Sequence, residues 1–104
     1  MAYPSKYTNA QVEILGVPST ARQLTASSAS INTALTPTVQ RISMRAVGAD
    51  IRFSVGSGTQ TANGNTSNFI ANGERLDFAV PVGANIAVIR DGTVNGTLEL
   101  TELI

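Results

Sequence analysis

In four segments between residues 41 and 101 the apolar side chains of this chain recur at alternate positions, and that alternation decides most of what the chain can fold into. In RISMRAV, Ile42, Met44 and Ala46 fall on one side and Arg41, Ser43 and Arg45 on the other. In DIRFSV, Ile51, Phe53 and Val55 oppose Arg52. In ERLDFAVPV, Leu76, Phe78 and Val80 oppose Arg75 and Asp77, and near the C-terminus Leu98 and Leu100 alternate with Glu99 and Thr101. Successive side chains of a strand point to opposite faces, so this period of two puts one face of each segment in a core and the other in water. The 3.6-residue period of an amphipathic helix is not sustained anywhere.

Turn residues punctuate the pattern. Gly16 and Pro18 end a short strand around Val12–Leu15, and ARQLTASSASI carries a weaker one. Residues 25–36, TASSASINTALT, are rich in Thr and Ser and are expected to give at most a brief helical turn. Val39 is out of phase with Ile42, which suggests a bulge or a change of face near Gln40. Gly48 is expected to join RISMRAV and DIRFSV as a hairpin, and Asn72-Gly73 marks another turn. Pro81 cannot donate to a ladder, so its strand ends there or lies at an edge. Asp91-Gly92 between apolar alternations predicts a terminal hairpin of NIAVIR and TVNGTLELTEL.

Seven to eight short strands with no internal repeat predict an all-β fold, an antiparallel β-sandwich of jelly-roll-like type. At 104 residues the chain supports one core. The expected organisation is a single domain over 11–104, preceded by an extended N-terminal arm, 1–10, that carries Tyr3 and Tyr7.

Composition removes several chemistries. With no Cys there is no thiol nucleophile and no Cys-based zinc site, and with no His the commonest general base and the usual triad are missing. Lys6 is the sole lysine. Seven basic residues balance seven acidic ones without a basic run, so no nucleic-acid footprint is present. No apolar run approaches the roughly 18 residues of a membrane span, and MAYPSKYTNA, polar and broken by Pro4, does not read as a secretory signal.

The uncharged stretch GSGTQTANGNTSN, Gly56–Asn68, fits neither the phosphate-loop nor the dinucleotide fingerprint, because its glycines are wrongly spaced and no Lys is near. It reads as a connector whose tightest turn is Asn63-Gly64. Glu74 and Asp77, and likewise Glu99 and Glu102, are separated by three and fall on opposite strand faces. All four read as solvated positions and not as paired carboxylates. No catalytic residue, cofactor or metal is expected.

Charge is unevenly spread. Residues 14–73 hold Arg22, Arg41, Arg45 and Arg52 against Asp50, whereas residues 74–104 hold five acids against Arg75 and Arg90. The two regions either pair within one subunit or meet head to tail, with an Arg41/Arg45/Arg52 face on an acidic neighbour.

The segments RAVGADIRFSVGSG and FIANGERLDFAVPVGANIAVIRDGTVNGTLELTEL together resemble small virion proteins of tailed bacteriophages, a likeness covering most of residues 37–104. The resemblance implies a β-sandwich without enzymatic activity, built into the particle as a capsid decoration or cement protein, a head–tail connector part or a tail component. It implies a virion location after assembly in the host cytoplasm. The implied partners are further copies of the chain, as a trimer or ring, and the major capsid protein or other virion proteins, reached with arms and loops. Tyr3 and Tyr7 would serve such an arm. A carbohydrate- or receptor-binding sandwich is the alternative from another class, poorly served by a chain with no Trp and five aromatic residues. A small hydrolase is disfavoured by the missing His and Cys.

Overall fold

The structure, a computed structural model, describes residues 16–104. Eight strands lie among the described residues: β1 (Pro18–Ala26), β2 (Ile31–Ala34), β3 (Arg41–Val47), β4 (Ile51–Ser57), β5 (Asn68–Ile70), β6 (Arg75–Ala79), β7 (Ala84–Arg90) and β8 (Gly96–Leu103). They form two antiparallel sheets, ordered β1-β8-β3-β6 and β2-β7-β4-β5. The pairs β1–β8, β2–β7, β3–β6 and β4–β5 nest one inside the next. That winding is an eight-stranded jelly roll, and the expected all-β sandwich is what the chain forms.

The alternation read from the sequence builds the core. Ile42, Met44 and Ala46 of β3 and Leu98 and Leu100 of β8 face inward from one sheet; Ile51 and Phe53 of β4 and Ile86 and Val88 of β7 face them from the other. Each fully buried aliphatic side chain contributes about 1.5–3 kcal/mol relative to exposure. The polar halves of the same strands, Ser43, Arg45, Glu99 and Thr101, lie on the outer face.

Both expected hairpins are corrected. β3 pairs with β8 and β6, while β4 pairs with β7 and β5. The Gly48–Asp50 link therefore crosses from one sheet to the other, and so does the link from Asp91 to Asn95 between β7 and β8. Period-two patterning reports which side of a strand is buried. It does not tell two neighbours in one sheet from two strands facing each other across a core. The hairpin within one sheet is β4–β5, closed by the long polar loop.

Residues 25–36 also differ from expectation. Ile31–Ala34 forms β2, pairing Ile31 with Val88 and Ala34 with Asn85. Ladder bonds to the buried β7 supply the order that this short, Ser-flanked segment does not announce by its own pattern. The phase break at Val39 is a loop and not a bulge: β3 begins at Arg41, and Val39 is buried just before it with its N–H donating to the Thr36 carbonyl at 3.0 Å. A register shift does occur in β1, between Pro18 and Ala21.

At the start of the described chain, Gly16 takes a left-handed φ of 82°. Val17 and Ile104 then exchange backbone bonds of 2.7 and 2.9 Å. The expected arm, 1–10, and the strand around Val12–Leu15 lie outside the described residues.

Candidate interaction surface

The outer face of the β1-β8-β3-β6 sheet carries the charged pattern noted in the sequence. Register places Arg45 directly opposite Glu99 on one side and Arg75 on the other. Gln23 lies beyond Glu99 and donates to its Oε2 at 3.3 Å. Arg45 and Arg75 are both exposed, and Arg75 Nη1 donates to Ser43 Oγ at 3.2 Å. Like charges directly opposite each other on a sheet are unfavourable. Among the described residues the ion pairs are Arg22–Glu102 and Arg52–Asp91, and neither Arg45 nor Arg75 takes part in one. Arg41, on the same face, has its Nε buried without a hydrogen-bond partner among the described residues.

Arg52 is elsewhere. It belongs to β4, in the other sheet, so the single Arg41/Arg45/Arg52 face expected from sequence does not form. Its Nε donates to Asp91 Oδ1 at 2.8 Å, its Nη1 to the Ser67 carbonyl at 2.9 Å, and its guanidinium lies 4.9 Å from the centre of the Phe69 ring. For Arg52, pairing within one subunit is the arrangement present. Tyr3 and Tyr7 lie outside the described residues.

The polar loop is a connector, as read, but it is docked along its length. Gln60 N–H donates to Asn32 Oδ1 at 2.9 Å and Ala62 N–H to Ser30 Oγ at 2.8 Å, which covers the free side of β2. Ala62 is buried. Asn63 Oδ1 accepts from the N–H groups of Asn65 and Thr66, the side-chain-to-backbone turn that Asn63-Gly64 foretold.

Glu102 was missed. The sequence reading placed it in solvent, yet it is fully buried. Its Oε2 accepts from Arg22 Nε at 3.0 Å and from Thr36 N–H at 2.9 Å, and its Oε1 accepts from Thr36 Oγ1 at 2.6 Å. Burial pushes the carboxyl toward protonation. The bonds from Thr36 and the bond and charge of Arg22 outweigh it, holding the group below its ordinary 4.5. The signal was available: the phase of Leu98 and Leu100 carries Glu102 to the inner face. This buried cluster ties β1, β8 and the loop after β2 together at one end of the sandwich.

On the side bounded by β5 and β6 the sheets part. Phe53, Val55, Leu76, Phe78 and Pro81 wall a groove of about 460 Å³, with Asn68 and Phe69 at its rim. Val55, Leu76 and Phe78 are half-buried there, and Val82 nearby is exposed.

No family model and no curated protein matches this chain. Among solved structures it is similar to the crystal structure of PirA, with a TM-score of 0.53 and 14% identity over 79% of this chain and 92% of that one. At that identity the likeness concerns the fold.

Proposed function

We propose that this chain is a non-enzymatic structural protein of a bacteriophage virion, and within that class a capsid decoration protein that binds the assembled shell as a homo-oligomer. The resemblance over residues 37–104 supplies the class. The observation that carries a role in docking is the exposed Arg45–Arg75 pair, two opposed cations on a sheet face, neither of them in an ion pair among the described residues although Glu99 lies across from Arg45. An acidic surface laid on that face relieves the repulsion, and charge complementarity of this kind steers encounter and fixes register. Action is by contact: the rigid sandwich presents the face, and buried area across subunits stabilises the particle.

The test is to mix the purified protein with assembled shells and with free shell subunits of its own particle, and to measure mass and co-sedimentation. Binding to shells alone, at many copies per particle, is the expected result. Presence at a few copies at a vertex moves the role to the head–tail junction or tail. Absence from purified particles overturns the virion reading.

A further inference from the structure

We infer that the groove between β5 and β6 receives residues 11–15 of a second copy of this chain, added as an extended strand along the free edge of β6. The inference rests on the reading of the chain as an assembly protein and says how its copies join.

Three observations converge. β6 is an edge strand, and its inward side chains, Leu76 and Phe78, are only half-buried beside the groove. A strand added to an exposed edge gains affinity from main-chain bonds and specificity from alternate side chains set in pockets. Gln11-Val12-Glu13-Ile14 alternates in the manner this edge demands, with Leu15 following on the side of Glu13. If Val12 and Ile14 face the groove, Glu13 necessarily lies on the outer face. There it meets Arg75, completing the row Glu99–Arg45–Arg75 with a second carboxylate at its open end.

Reach decides which copy supplies the strand. The described chain begins at Gly16, beside β1, and β6 lies three strand positions away in the same sheet. At ~4.8 Å per strand that is ~14 Å. Val12–Leu15, fully extended, spans at most ~14 Å. Within one chain, the crossing uses all of these residues and leaves none to lie along the edge. A neighbour's segment is under no such limit. Because donor and acceptor surfaces differ, the contact is head to tail and closes into a ring when the rotation permits.

The experiment uses the purified 104-residue chain alone. Glu13→Arg and Arg75→Glu are each expected to raise the concentration at half-assembly on the order of tenfold, and the double variant to restore it. Melting of each variant, checked in parallel, separates lost assembly from lost fold. In a chain with no cysteine of its own, Ile14→Cys with Asn68→Cys on the groove rim should give, on oxidation, a ladder of cross-linked oligomers. Cross-linking confined to single chains overturns the inference, as does an oligomer indifferent to both reversals or a chain that stays monomeric at all concentrations. A chain that cross-links between copies yet is missing from particles defeats the virion reading and leaves this one standing.

Discussion

Phe53 of β4 and Phe78 of β6 stack across the two sheets, their ring centroids 5.9 Å apart and their planes 9° from parallel. Phe53 is buried and Phe78 half-buried, so the pair marks where the core ends and the groove begins. The two rings hold the sheets together on the side where neither edge strand bonds to the other.

Truncating this pair should cost stability unequally. Phe53→Ala is expected to lose about 3–5 kcal/mol, and Phe78→Ala less, because it already borders solvent. Urea denaturation of both singles and the double should show coupling of about 0.5–1.5 kcal/mol. Strictly additive losses would mean that the rings merely fill space.

Glu102 should make the fold acid-sensitive. Its carboxyl is held below 4.5 in the folded state, so the unfolded chain takes up the proton more readily. The stabilisation is present above pH 4.5 and is lost as pH falls through the folded value. Glu102→Gln should flatten that part of a stability–pH curve. Glu102→Ala, which leaves Arg22 and Thr36 without their acceptor, should cost about 3 kcal/mol, the low end for a broken buried pair because Arg22 retains 26% exposure. An unchanged acid limb in the Gln variant would remove Glu102 from this account.

Gly96 is a packing position. A Cβ there would lie 3.1 Å from Ala49 Cβ, 3.2 Å from Ala49 N and 3.3 Å from the Val47 carbonyl. Gly96→Ala should destabilise by about 1–3 kcal/mol, as overpacked sites do. Adding Ala49→Gly should recover part of the loss, read as a rise in melting temperature over the single variant.

Arg45→Glu separates folding from docking. The side chain is exposed, so stability should stay within about 0.5 kcal/mol of the parent. Retention on assembled shells should fall sharply, and more so at low salt, where opposed charges are least screened. Equal shell binding by parent and variant would move the docking surface off this face.

The fold was legible in the strands whose apolar residues are large and evenly spaced. Ile42-Met44-Ala46 and Leu98-Leu100 announced their inner faces, and Pro81 announced the end of β6. Partnership was not legible. Gly48 and Asp91-Gly92 look like hairpin turns because a sharp reversal uses the same residues whether the chain returns to its own sheet or steps to the facing one. β2 was hidden because it is four residues long with Ile31 as its only large apolar side chain, and its order comes from pairing with β7. Of the surface residues, Arg41 and Arg45 were correctly placed on one face. Arg52 was separated from them by the change of sheet, which local spacing does not encode. Glu102 was obscured by its own charge: a carboxylate in an inward register looks like a solvated residue until Thr36 and Arg22, distant in sequence, are seen to bond it.

The nesting of the strand pairs also implies a sequence of events in time. β4 and β5 are joined by a local loop and can meet first. β3–β6, β2–β7 and β1–β8 then close in turn, each later pair having its ends drawn together by the one before, so that Arg22 finds Leu100 although most of the chain lies between them. A sandwich built this way belongs among the slow folders, on the order of milliseconds to seconds. β1 is the last strand to be seated. On that order the bond from Arg22 to Glu102 forms only when this last strand closes, so the buried cluster at that end of the sandwich reports completion of the fold.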